Sequence, residues 1–130
     1  MTPDLAYLAW TALLTGALWL PYIGAQVMTN GFLGPDNYRD PTPRPVPLWG
    51  MRANRAHLNA IESFAPFAAI VLIAHVTGQA NATTAVLCAS FFWLRVAHAV
   101  IYLAAIPYLR TVVFTAAWIV EVLLFWQIAT

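Results

Sequence analysis

Residues 5–28 read LAYLAWTALLTGALWLPYIGAQVM, an apolar run without a single acid or base. At about 1.5 Å of rise per residue such a run crosses the roughly 30 Å hydrocarbon layer of a bilayer as one helix. It therefore predicts a membrane span over about residues 4–29. Pro21 lies inside the run and predicts a kink, which a span tolerates when neighbouring groups satisfy the freed carbonyl. A secretory signal needs a basic start and a short apolar core, whereas this start carries Asp4 and no Lys or Arg.

The rest of the chain repeats the theme. Two more apolar stretches predict helices at about 49–77 and 81–106, closed respectively by Thr77-Gly78 and by Pro107, and a fourth follows at about 109–129. Between the first and second spans, residues 30–48 collect Gly31, Gly34, Pro35, Pro41, Pro43, Pro45 and Pro47, and are expected to form one long loop without helix or central strand. Four helices with one long and two short connections predict an all-α membrane protein, a four-helix up-and-down bundle in a single domain over residues 1–130.

Composition agrees. Of 130 residues, 62% are hydrophobic and 8% charged, too few charges to solvate a small soluble domain, which carries about 25%. A net charge of +1 argues against a nucleic-acid partner, and the lone Cys88 excludes an intrachain disulfide and thiolate-based metal sites. All six basic residues are arginine. Arg39, Arg44, Arg52, Arg55, Arg95 and Arg110 all fall at one end of the expected bundle. By the enrichment of basic residues on the cytoplasmic side, both termini should lie on the non-cytoplasmic side. Trp49 and Tyr108 at the inner end, and Tyr7, Trp10 and Trp126 at the outer, suit interfacial aromatics.

The second span carries Arg52, Arg55, Asn59 and Glu62, which at about 100° per residue fall within a sector roughly 80° wide. The third carries Arg95, His98 and Tyr102 at i, i+3 and i+7. Charged groups at such depth face protein or a water-filled cavity, never lipid. One reading is an internal network of mutual pairs that fixes helix packing. The other is a ligand site: several cationic donors stand against one carboxylate in the stripe, Glu62, and the guanidinium fork suits carboxylate or phosphate. A ligand that also engages Asn59 and Glu62 would carry amide or ammonium groups, as a small peptide does. Glu121, a carboxylate inside the fourth span, is either paired with an arginine or functional. His57 projects away from the stripe and, with His75, reads as hydrogen-bonded or interfacial. Gly16 and Gly24 read as sites of close helix packing, and Cys88 as a packed small hydrophobe.

The run Arg52-Ala-Asn-Arg55-Ala-His57-Leu-Asn59-Ala-Ile-Glu62, followed by Arg95-Val-Ala-His98-Ala-Val-Ile-Tyr102, resembles the MAPEG family, the membrane-associated proteins of eicosanoid and glutathione metabolism. The second segment looks most like its prostaglandin E-forming branch. The resemblance covers nearly the whole chain and implies a four-span homotrimer that binds glutathione between subunits near the cytoplasmic side. It implies that Arg52, Arg55, Asn59 and Glu62 hold glutathione's polar groups, that Arg95, His98 and Tyr102 line the pocket, that Arg110 sits by the thiol, and that Thr111 supports Arg110 or the ligand. A cation beside a thiol favours the thiolate, which would attack a lipophilic electrophile or peroxide arriving from the bilayer. The chain departs from the family pattern at Gln26, where relatives carry a cation, at Ser63 and Phe114, where relatives carry tyrosine, and in a shorter linker between Tyr102 and Arg110. Two functions follow: a glutathione-dependent transferase or peroxidase, or a non-catalytic member whose polar stripe is a structural trimer network or binds another anion.

Overall fold

A computed structural model describes all residues 1–130. The chain is entirely helical: α1 (Pro3–Ala17), α2 (Trp19–Asn30), α3 (Pro35–Arg39), α4 (Leu48–Val76), α5 (Ala82–Leu103) and α6 (Leu109–Ala129). Four stretches are long and apolar enough to cross a membrane, with α1 and α2 together forming the first, Pro3–Asn30. The architecture is thus a four-span helical bundle. The α4/α5 pair is central, with α1 against both, α2 mainly against α4, and α6 against α5 and more lightly α4.

The first span is divided at Leu18. Pro21 has no N–H to give to the carbonyl of Ala17, and its ring crowds that same turn, so the ladder opens four residues before the proline. The helix is interrupted where the missing donor leaves the ladder open, near the kink expected at Pro21. Residues 30–48 depart from the expectation of a helix-free loop, because α3 occupies Pro35–Arg39. Proline is well placed at the first helical position, where its N–H would be unused anyway. The Asn37 side chain accepts from the Gly34 N–H at 2.8 Å, and Arg39 pairs with Asp36 at 3.1 Å. Pro41, Pro43, Pro45 and Pro47 keep the remainder extended.

The third span ends at Leu103, three residues short of the expected boundary. Ile106 N–H donates to Ile101 and Ala105 N–H to Tyr102, both at 3.2 Å, which closes the helix with Ala105 in the left-handed region at φ 58°. Tyr108 follows at φ 63°, bridged by a 2.7 Å hydrogen bond from Leu109 N–H to the Pro107 carbonyl, a γ-turn. This five-residue link therefore turns sharply through two left-handed non-glycine residues. At the other end of α5, Asn81 caps the helix by accepting from Thr83 and Thr84 N–H. The Thr84 hydroxyl donates to the buried Asp4 carboxylate at 2.6 Å, tying α1 to α5.

Only 19 residues are buried, while Trp10, Trp93, Trp118 and Trp126 are more than half exposed, as expected of a bundle whose outer surface meets lipid. The core is a short column of Phe67 and Val71 from α4, Cys88 and Phe91 from α5, and Ala117 and Leu124 from α6. The Phe67 and Phe91 rings stack at 3.9 Å. Between α2 and α4 the contact is backbone-close: a Cβ added to Gly50 would lie 2.6 Å from that of Ala25. Gly16 and Gly24, expected at close helix contacts, have open space around them in the chain. Close approach depends on which face meets a neighbour, and their faces meet none here.

Candidate functional site

The residues of the polar stripe do not all meet. On α4, Asn59 turns towards α5 and its Oδ1 accepts from Arg95 Nη2 at 2.7 Å. Arg95 is 3% exposed, and its other terminal nitrogen, Nη1, is buried without a partner. No ion pair relieves it, since the one salt bridge in the chain is Arg39–Asp36 in the loop. A buried guanidinium with a free nitrogen is an expensive arrangement in hydrocarbon, stabilised only by further polar groups or ligand.

Those polar groups surround a cavity of about 150 Å³ between α4, α5 and α6, lined by Asn59, Glu62 and Ser63 from α4, Arg95 from α5 and Glu121 from α6. Pro66, Phe91, Phe114 and Trp118 form its apolar walls. Pro66 also removes the donor that would have met the Glu62 carbonyl, adding a free acceptor to the same turn of helix. Ser63 bonds back to the Asn59 carbonyl at 2.9 Å.

One to two turns further towards the arginine-rich end lies a second cluster. The His98 ring stands 5.6 Å from that of Tyr102 and 6.2 Å from that of Phe114. His98 is buried, and its Nδ1, like Arg95 Nη1, has no partner; these are the only two such side-chain atoms in the chain. Arg110, at the start of α6, lays its guanidinium over the Tyr102 ring at 4.7 Å from the centroid. Phe114 touches both groups, walling the cavity and facing His98. Thr111 is exposed beside Arg110.

Arg52 and Arg55 lie elsewhere. Arg52 Nε donates to the carbonyl of Leu103, the last residue of α5, at 3.3 Å, a cation placed at a helix C-terminus where it is favourable. Arg55 is exposed and lines a separate cleft with Tyr22 and Arg44. The single face expected of Arg52, Arg55, Asn59 and Glu62 is thus shared among different neighbours, because a sector 80° wide on one helix spans more than one groove of a bundle. His57 hydrogen-bonds the Thr15 carbonyl at 3.2 Å and so anchors α4 to α1. Glu121 belongs to the cavity; its only sequence signal was a carboxylate deep in a span. Trp118 carried no signal at all, being one apolar residue among many.

Asn59, Glu62, Arg95 and Glu121 can therefore present an amide, two carboxylates and a guanidinium to one polar molecule, with the Tyr102–Arg110 pair above them. Comparison with the curated proteins and with the solved structures returns no match. The model of the MAPEG family matches residues 5–130, nearly the whole length. On that match, and with four spans and this polar interior in place, the chain belongs to the MAPEG family.

Proposed function

We propose that this protein is an integral membrane glutathione-dependent transferase or peroxidase acting on lipophilic electrophiles. The observation that carries the reading is the buried Arg95, held on one side by Asn59 and left with a free Nη1 beside a cavity that Glu62 shares. A guanidinium in that state suits a carboxylate, and the neighbouring amide and Glu62 suit the amide and ammonium groups of a small peptide. Family membership supports glutathione as that peptide.

The cavity, at about 150 Å³, is half the lower bound of roughly 300 Å³ for pockets that enclose drug-sized ligands. A tripeptide therefore needs a wall from another copy of the chain, in keeping with a homotrimer. Glutathione, when bound, supplies the nucleophilic sulfur. Arg110 is the residue to stabilise its thiolate, because its charge is exposed at the start of α6 and its position is set by the face of Tyr102. His98 and Tyr102 line the approach, and Thr111 flanks Arg110. Arg52 and Arg55 are not assigned to the ligand within one protomer. The exposed apolar faces of α5 and α6, including Trp93 and Trp118, are where a lipophilic substrate arrives from the bilayer. The arginine-rich end is assigned to the cytoplasm and both termini to the opposite side. The resemblance of the α5 segment to the prostaglandin E-forming branch names one candidate class of peroxide substrate.

The deciding experiment titrates glutathione into detergent-purified protein while following ultraviolet thiolate absorbance and oligomer mass. Saturable binding with a thiolate signal on a trimer is the expected result. A second reading, a non-catalytic network, draws on the Arg95–Asn59 bond, which already joins α4 to α5. An absence of binding at millimolar glutathione would rule out the first reading, and dispersal of the oligomer by Arg55→Ala or Glu62→Ala is the result expected of the second.

A further inference from the structure

The link between α5 and α6 stands between two residues of the site. Tyr102 precedes it and Arg110 follows it, and the two side chains meet with the guanidinium 4.7 Å from the ring centroid. The end of α5 is closed by a Schellman motif, in which Ile106 N–H reaches back to the Ile101 carbonyl and Ala105 N–H to that of Tyr102. The left-handed position of such a motif is ordinarily glycine, and here it is Ala105 at φ 58°. Tyr108 is a second such residue, at φ 63° and ψ −41°, exposed, with no side-chain hydrogen bond at the start of α6. Non-glycine residues keep such conformations only where their surroundings over-determine them.

Pro107 shows where that support is needed. Had α5 run one turn further, the Leu103 carbonyl would have accepted from residue 107, which as proline has no N–H. No backbone donor takes its place. Arg52 does, since its Nε donates to the Leu103 oxygen at 3.3 Å from α4. The contact thus fills an acceptor that the link's own proline leaves open, and it ties the last turn of α5 to α4 beside Tyr102. Without it that turn ends on a bare carbonyl, the link is free to relax from its left-handed conformations, and Tyr102 and Arg110 lose their common anchor.

We propose that Arg52 is a positioning residue for Arg110: by holding the end of α5 it keeps the strained link closed and the Arg110 guanidinium against Tyr102. The inference rests on the reading of Arg110 as the partner of the glutathione thiolate. The acting atom is Nε as a hydrogen-bond donor, and the charge of Arg52 is not required.

Two measurements on the full-length protein in detergent test this. Arg52→Met removes the donor, and amide hydrogen exchange at Ala105 and Ile106 is expected to quicken on the order of tenfold. In the same variant the thiolate-to-thiol ratio of bound glutathione, read by ultraviolet absorbance, should fall roughly two- to fivefold, as expected for loss of the Tyr102–Arg110 contact. Arg52→Gln places an amide nitrogen at the same point along the side chain as Nε and carries no charge, so both readings should stay near wild type. Arg52→Met with Ala105→Gly lets glycine hold the turn unaided and should return both readings to within about twofold of wild type; it takes the place of the single variant if that one does not survive purification.

Unchanged exchange or an unchanged thiolate ratio in Arg52→Met would overturn the proposal. So would equal losses in Arg52→Gln and Arg52→Met, which would assign the effect to charge, or a glycine double variant that recovers neither reading. A wild-type protein that gives no thiolate signal with glutathione would overturn the functional reading and this inference with it, whereas a wild-type signal that Arg52→Met leaves unmoved would overturn this inference alone.

Discussion

Arg95 on α5 and Asn59 on α4 are joined by a 2.7 Å hydrogen bond in the interior of the bundle, and Arg95 Nη1, at the other corner of the same guanidinium, faces no partner. One bond thus does two things. It locks two spans together, and it orients a charged donor beside a cavity that a small polar ligand can share.

Asn59→Leu removes the acceptor and strands Arg95. Loss of a hydrogen bond to a charged group predicts about 1.5–3 kcal/mol of destabilisation, measured as a lower unfolding midpoint in detergent. Asn59→Asp keeps an acceptor at the same position and adds a counter-charge, so its midpoint should remain close to wild type. If the leucine variant is as stable as the wild type, Arg95 is not held by this bond.

Glu121→Gln keeps the shape of the cavity wall and deletes a carboxylate that shares the space with Arg95. With no ion pair within 4 Å, the interaction runs across the cavity and is worth less than direct contact. A loss of about 1 kcal/mol is expected, and Glu121→Asp should restore part of it. Thermal unfolding of both variants alongside wild type provides the check.

Tyr102→Leu removes the aromatic face beneath Arg110, while Tyr102→Phe keeps it. At an exposed site a cation–π contact contributes about 0.5–1 kcal/mol, so the leucine variant should bind glutathione roughly two- to fivefold more weakly. The phenylalanine variant should retain the contact. Arg110→Ala removes the cation itself, which raises the pKa of a bound thiol, so thiolate absorbance should appear only at higher pH than in wild type. Each unit of that displacement corresponds to about 1.4 kcal/mol. An unchanged absorbance titration would exclude Arg110 as the thiolate partner.

Gly50→Ala forces a methyl group to within 2.6 Å of Ala25 Cβ, where both neighbours are backbone-proximal and cannot swing aside. The expected penalty is about 1–3 kcal/mol from the separation of α2 and α4. Gly16→Ala has open space around it in the protomer and, as a helix-interior glycine replaced by alanine, should gain about 0.5–1 kcal/mol. Paired unfolding curves distinguish the two, and a destabilised Gly16→Ala would instead place that glycine at a contact between subunits.

Much of the architecture is legible without coordinates because lipid imposes a simple rule: apolar runs of sufficient length become helices, and charge is driven to their ends or interiors. The run at residues 5–28 and the deep position of Arg95 both follow from that rule. Local chemistry also accounts for Pro21, whose missing donor opens the first span at Leu18. α3 was harder to foresee, since the Gly34-Pro35 pair at its start and the prolines that follow argue against helix until the Asn37 and Arg39 side chains are seen to close around it.

What periodicity determined by itself was that Arg52, Arg55, Asn59 and Glu62 lie near one another on a single helix. Only the packing of α2, α5 and α6 around that helix decided their separate fates: Arg52 to the end of α5, Asn59 to Arg95, Glu62 to the shared cavity, and Arg55 to the cleft beneath the proline segment. Helical phase is a property of one segment, whereas a side chain's partner depends on which groove the neighbouring helices leave open at its height.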